Sequence, residues 1–229
     1  MLRLPIAIAF MLAVMLAASA HAQQKPTVDL RSLERRAIDG DMQSQFDLGR
    51  AYDEGKIVQR NGIEALRWFR LAAQHGDDRY QLWLGMVLSR EGLNAEAREW
   101  FSRSAEQGNW AAGTNLGRLL AQGLGGAVDK EGAATVYEKA ADDGGASAAR
   151  NLVQMLVSGE LGPQSDERLC YWAGRSVKQL GPRYADADES LRRWLADAES
   201  RLSAEQVAIC RDKVAAFKVA DSTAGRRAK

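Results

Sequence analysis

The chain has 229 residues, and its 31 Lys and Arg nearly balance its 30 Asp and Glu, for a formal net charge of +1. Nucleic-acid-binding domains usually carry a strongly basic face, so this balance gives no support to nucleic acid as a partner. With only two histidines and two cysteines, the composition also leaves little material for a zinc or multi-histidine metal site.

The first 22 residues have the pattern of a secretory signal peptide. Arg3 precedes an apolar run from Ile6 to Ala18, and Ala20-His21-Ala22 has the small-x-small pattern of a cleavage site. We expect cleavage after Ala22, with cleavage after Ala20 as the near alternative, and a periplasmic or secreted protein. A retained membrane anchor is the other interpretation, but the run is short for a bilayer span. No later run is long enough to span a membrane.

Residues 23–40 are predicted to form an N-terminal capping helix. Leu30, Leu33 and Ala37 have helical spacing, and Gly40-Asp41 follows them. Gly40 precedes the next glycine of the same kind, Gly76, by 36 positions, so this helix has the place of the second helix of a missing unit.

A pattern then recurs four times. The first column contains pairs that begin at Leu48, Leu84, Leu116 and Leu152, with Val153 replacing glycine in the last pair. The second column contains Trp68, Trp100, Val136 and Trp172, in steps of 32, 36 and 36. The third contains Gly76, Gly108, Gly144 and Leu180. Such periods are typical of stacked helical repeats, and they predict units 41–76, 77–108, 109–144 and 145–180.

The first unit has the features of a helical hairpin. Gly55 is suited to end a first helix, and Ala65, Trp68, Phe69 and Ala72 form the apolar stripe of a second one. The small residues Gly49 and Ala65 predict close approach of the two backbones, with Tyr52 and Trp68 filling the space beside them.

Three segments of this unit, Gln45-Phe46-x-Leu48-Gly49-x-x-Tyr52, Ala65-x-x-Trp68 and Ala72-Ala73-Gln74-x-Gly76, resemble the Sel-1-like repeat. The resemblance covers about residues 37–181. It implies an all-α fold, a right-handed solenoid of stacked helical hairpins with helical caps at both ends. It also implies a role as an adaptor, assembly factor or signalling accessory. The second unit is four residues short between its helices, and Val153 puts close helix approach in the fourth unit in doubt.

A C-terminal helical cap is predicted over residues 181–220. Leu191, Trp194, Leu195 and Ala198 form one stripe, and Ser203-x-x-Gln206 is a capping-box signal for a last helix. Residues 221–229 show no apolar periodicity and are predicted to be a disordered tail. In an oxidising compartment Cys170 and Cys210 are expected to form a disulfide that clips this cap to the array, with buried free thiols as the alternative.

Catalytic constellations are missing from the sequence, so we expect neither an enzyme nor a cofactor or metal. His75 is the only histidine after the signal, and it stands where sister units carry Gln107 and Asp143, which predicts a surface turn residue. Some cysteine-rich Sel-1-like proteins are associated with penicillin binding or β-lactam hydrolysis. A β-lactam or peptidoglycan hydrolase is therefore the alternative, although no S-x-x-K motif and no cysteine pair per repeat occur here.

The concave face of the predicted stack is the expected binding surface, because such scaffolds usually bind there. Arginines and apolar residues fall on the first helices of the units: Arg50, Arg90, Arg118, Arg150, Phe46, Leu82 and Met86. They could grip an extended peptide, including a carboxylate-bearing one, or another envelope protein. The alternative is that the arginines only pair with Asp47, Asp53 and Glu54. A third interpretation is a structural spacer that contacts a larger complex by its convex side or caps.

Overall fold

The computed structural model describes residues 29–162, 166–180 and 189–218, and the regular structure within them is entirely α-helical. The helices of this part are α1 (Leu30–Ile38), α2 (Met42–Glu54), α3 (Gly62–Gln74), α4 (Asp78–Arg90), α5 (Asn94–Glu106), α6 (Trp110–Gln122), α7 (Lys130–Asp142), α8 (Ala146–Val157), α9 (Asp166–Leu180), α10 (Glu189–Arg201) and α11 (Ala204–Ala216). The predicted signal peptide, the predicted tail and residues 23–28, 181–188 and 219–220 of the predicted caps lie outside the described residues.

Helices α2 to α9 form four stacked hairpins. Each first helix packs along its own second helix, and each second helix packs against the first helix of the next hairpin. Within the four hairpins, the first helices α4 and α6 also contact the next first helices, α6 and α8. The second helices α3, α5 and α7 contact the next second helices less, so the first helices lie on the inner side of the stack. The all-α architecture of stacked hairpins predicted from the sequence is confirmed.

The helix ends follow from local chemistry. The side chain of Asn61 accepts hydrogen bonds from the backbone N–H groups of Ile63 and Glu64, and Asn109 caps α6 in the same manner. At the other ends, α2 stops at Gly55 and α6 stops at Gly123, with φ of 67° and 69°. Glycine adopts this left-handed conformation at little cost, so the chain can leave the first helix there and turn toward the second helix of these two hairpins.

Glycines of the first helices make room for aromatic rings of the second helices. A Cβ at Gly49 would lie 2.7 Å from Phe69 Cδ1, and one at Gly85 would lie 2.6 Å from Phe101 Cε1. Tyr137 covers the glycine of the third hairpin in the same position. The close approach at Gly49 is as predicted, but the ring that fills it belongs to Phe69 and not to Trp68.

In the fourth hairpin the larger side chain is on the first helix and the smaller one is on the second, the reverse of the other hairpins. Val153 takes the place of the glycine, and Ala173 takes the place of the aromatic residue. Both side chains are fully buried in one apolar cluster. The two helices therefore still pack together without the glycine, which answers the doubt raised by the sequence.

Trp68 lies on the side of the first hairpin that borders α1. It belongs to a cluster with Leu33 and Ala37 of α1 and Leu48 of α2. Because α1 supplies the wall against which this indole packs, α1 covers the N-terminal end of the stack in place of a complete hairpin.

The C-terminal cap differs from a further hairpin. Both α10 and α11 pack on α9 and make few contacts with one another. A disulfide joins Cys170 of α9 to Cys210 of α11, with their Cα atoms 6.4 Å apart, as predicted. Cys210 is the one buried residue of α11. Lys178 Nζ also donates to the backbone carbonyls of Val214, Ala215 and Phe217, which ties the end of α11 to α9.

Substitution of Gly85 by alanine is expected to destabilise the stack by about 1–3 kcal/mol, because the added methyl group would overlap the Phe101 ring. Gly62→Ala is the matched control, since a Cβ there meets nothing within 4 Å, and it should stabilise by about 0.4–1 kcal/mol. Thermal melting followed by circular dichroism measures both variants. Equal melting temperatures for the two would contradict the close-packing argument.

Replacement of both cysteines by serine is expected to loosen the cap. The bridge closes a 40-residue separation, and the chain-entropy model assigns such a loop about 3–4 kcal/mol. Limited proteolysis should then cut between α9 and α11 well before it cuts in α2 to α7. Equal cleavage rates in the oxidised protein and the double variant would show that other contacts alone hold α11.

Candidate functional site

The predicted binding residues lie on the four first helices. Phe46 and Arg50 are on α2, Leu82, Met86 and Arg90 are on α4, Arg118 is on α6 and Arg150 is on α8. Arg50, Met86 and Arg118 occupy equivalent positions in successive units. These residues therefore share the inner side of the stack, as the repeat register implies.

An aromatic patch joins α2 and α4. We use this name for Phe46, Tyr80, Trp83 and Met86. The Phe46 ring lies 4.9 Å from Tyr80 and 5.4 Å from Trp83 between ring centroids, the second in an edge-on arrangement. Tyr80 is buried, and its hydroxyl donates to Gln43 Oε1 at 2.6 Å. Phe46 and Tyr80 thus support a surface at which Trp83 and Met86 are 38% and 44% exposed.

Trp83 was not among the residues predicted from the sequence. It occupies the position of Asp47 in the first unit and Asn115 in the third, both of them polar and partly buried. A tryptophan in a column of polar residues was the signal that could have identified it. Leu82, which was predicted, is half-buried and packs against the core of the second hairpin.

Two of the predicted arginines are held by carboxylates. Arg50 pairs with Glu54 one turn along α2, with 2.9 Å between Nη2 and Oε1. Lys56 and Arg50 both bond to Glu54, and they lower the pKa of its carboxyl. Arg90 reaches across to the preceding hairpin, where its two Nη atoms lie 2.6 and 3.1 Å from the Asp53 carboxylate. These contacts are the ion pairs that the sequence offered as the alternative to ligand binding.

Arg118 has a different environment. Within the described part of the chain its guanidinium meets the Gln122 amide oxygen at 3.5 Å, and no carboxylate lies within ion-pair distance. Arg150 is exposed on α8. Compared with Arg50 and Arg90, Arg118 therefore has donors better placed to take a carboxylate from outside.

The remaining chemistry is sparse. His75 ends α3, and its Nε2 lies 3.1 Å from Gln45 Oε1, so it links the turn to the helix beside it. No group of three or more His, Cys, Asp or Glu in the described ranges is arranged to hold a metal ion. Among the same residues, no helix combines the length and apolar character needed to cross a bilayer.

Stacked hairpins with an open inner face define a helical-repeat protein of the α-solenoid class. The Sel1 repeat model matches residues 43–77, 81–109 and 111–145, and the chain belongs to the Sel1 repeat family. Proteins built from Sel1 repeats generally mediate protein–protein interactions and are typically non-enzymatic. The fourth hairpin lies outside the matched segments, in keeping with its exchange of glycine for valine.

A solved structure shares this fold. A protective antigen of uropathogenic Escherichia coli with an SLR fold is 26% identical, with a TM-score of 0.62 over 90% of this chain and 44% of that one. The chain thus spans less than half the length of that antigen. A Sel1 repeat protein from Oxalobacter formigenes is 37% identical over 55% of this chain and 98% of its own, with a TM-score of 0.46. Comparison with curated proteins finds no match.

The arginines of the inner face are expected to contribute little to stability, because exposed ion pairs are worth about 0.2–1 kcal/mol. Arg50→Gln and Arg118→Gln should therefore melt close to the unsubstituted protein. Leu84→Ala is the contrasting change on the same set of helices, since Leu84 is fully buried, and it should cost about 2–5 kcal/mol. Chemical denaturation measures all three. An arginine variant as damaged as Leu84→Ala would assign that arginine a structural role.

Proposed function

We propose that this protein is an exported, non-enzymatic scaffold that binds a segment of another envelope protein along its first helices. The observation that carries the proposal is the aromatic patch, which exposes Trp83 and Met86 beside arginines on α2, α4 and α6. Tryptophan, methionine and arginine are enriched at protein interfaces, whereas exposed apolar patches are otherwise costly. The role of Sel1 repeats in protein–protein interaction agrees with it.

The chemistry of the surface suggests the character of the bound segment. An extended peptide can place an apolar side chain on Trp83 and Met86 and direct a carboxylate toward Arg118. Aromatic side chains at the centre of an interface commonly supply most of the binding free energy. The arginine adds orientation through its planar pair of donors.

Export is supported by two independent features. The pattern of residues 1–22 is that of a cleaved secretory signal, and a disulfide between Cys170 and Cys210 persists in an oxidising compartment. Mass analysis of the protein isolated from its host should give a mature chain beginning at Gln23. A chain that retains Met1 and free thiols would contradict export.

Replacing Trp83 and Met86 together by alanine is expected to abolish capture of the partner in an affinity pull-down from envelope extract. Removal of the exposed apolar surface should cost at least about 2 kcal/mol of binding, roughly a 30-fold loss of affinity. Arg118→Glu should weaken capture as well, by reversing the charge that faces a carboxylate.

Ile63→Ala is the matched control, because Ile63 is 81% exposed but lies on a second helix. This variant should retain the same partners as the unsubstituted protein. Unchanged capture by the Trp83 and Met86 variant would refute binding at the patch. Turnover of a chromogenic β-lactam by the purified protein would overturn the non-enzymatic assignment.

A further inference from the structure

A cavity of about 140 Å³ lies on the outer side of the stack, between α5 and α7. Its walls include Ala105 of α5, Leu116 of α6 and Val136 and Ala140 of α7, and Lys139, Glu106 and Asp143 stand at the same opening. A dry apolar cavity of about 150 Å³ is known to admit benzene, so this space is on the scale of an aromatic ring.

We use joint for the contact between one hairpin and the element that precedes it in the stack. The cavity occurs at the joint between the second and third hairpins, where Val136 replaces the tryptophan found at the other joints. Trp68, Trp100 and Trp172 are 8%, 7% and 6% exposed, whereas the third unit has Val136 in their place. At the first joint Trp68 packs against Ala37 and Leu48. The repeat register makes Ala105 and Leu116 the equivalents of those two residues, and both line the cavity.

A second substitution removes a long side chain from the wall of the same cavity. Gln45 and Gln81 occupy one column of the first helices, and each bonds to the turn that borders its joint, Gln45 to His75 and Gln81 to Gln107. The third unit has Gly113 in this column. A Cβ at Gly113 would lie 2.9 Å from Ala140 Cβ, so the close approach of α6 and α7 requires the loss of the glutamine side chain.

A cationic side chain, that of Lys139, is nevertheless present beside the cavity. Arg103 lies 4.5 Å from the Trp100 ring centroid, and Arg175 lies 4.8 Å from that of Trp172. Both arginines follow their tryptophan by three residues on the same helix face. Lys139 follows Val136 by the same interval and lines the cavity. The Lys139 side chain therefore starts from the helix position whose cation covers the indole at two sister joints, whereas the first unit has Leu71 at that position and uses Arg67.

We infer that the cavity between α5 and α7 is a docking site for a tryptophan side chain of a partner protein. The inserted indole would lie on Val136 and contact Ala105 and Leu116 as Trp68 contacts the equivalent residues Ala37 and Leu48, with Lys139 over its face. The carboxylates of Glu106 and Asp143 can accept a hydrogen bond from the indole N–H. This site is on the opposite side of the hairpins from the aromatic patch and does not depend on it.

Titration of the isotope-labelled protein with N-acetyl-tryptophanamide tests the inference by nuclear magnetic resonance. Shifts should concentrate on the residues that line the cavity, with a dissociation constant on the order of 1 mM for so small a ligand. N-acetyl-alaninamide should produce none. Val136→Trp should fill the space, weaken binding more than tenfold and raise the melting temperature.

Val128→Trp is the matched control, because Val128 is 57% exposed on the loop before α7, and it should bind the probe as the unsubstituted protein does. Lys139→Met keeps the apolar stem and should lower affinity about two- to fivefold. That variant keeps the test decisive if Val136→Trp fails to fold. Absence of shifts at the cavity, or full binding by a folded Val136→Trp, overturns the inference. Binding of free indole without binding of N-acetyl-tryptophanamide also overturns it, since the site would then take a free aromatic molecule.

Discussion

A glycine pressed against an aromatic ring holds each of the first three hairpins together, and the rest of the stack depends on that contact. Because no Cβ fits at Gly49, Gly85 or Gly117, the first helix can lie directly on Phe69, Phe101 or Tyr137. Interiors are packed so closely that even one added methyl group has consequences. The spacing between the two helices of each of these hairpins thus depends on the glycine, whose lack of a side chain allows the ring to lie against the helix backbone.

This contact also decides where the neighbouring tryptophan points. Adjacent residues on a helix differ by about 100° in direction, so with Phe69 turned toward its own hairpin, Trp68 turns toward α1 and α2. Phe69 packs between the two helices of its hairpin. Trp68, the residue before it, packs at the contact with the preceding element of the stack. The third unit has kept the first of these functions through Tyr137 and has lost the second at Val136. The fourth unit has done the reverse, since it retains Trp172 and lacks the glycine and ring.

The repeat columns made the fold predictable, because each column reports one contact that recurs. The disulfide was predictable for a related reason, since two cysteines in a protein with a signal-like segment have few options. The arrangement of the cap was not, because α11 lacks a strong apolar stripe and is held by the bridge, by Lys178 and by the Arg211–Glu199 ion pair. The pairing of Arg90 with Asp53 across two hairpins depends on rotamers that no spacing encodes. Trp83 departs from the polar residues of its own column, so the columns that the units share do not reveal it.

The aromatic patch and the outer cavity use different joints of the stack. The patch bridges the first and second hairpins, whose outer joint is closed by Trp100, while the cavity lies between the second and third. In a solenoid each unit contacts only its neighbours, so a change at one joint reaches another only through the hairpin between them. That hairpin is α4–α5, the one with the shortest connection, and its Phe101 ring lies over Gly85. The cavity borders α5 and the aromatic patch borders α4, so an aromatic side chain inserted between α5 and α7 would contact the second and third hairpins without touching the ring contacts of Phe46.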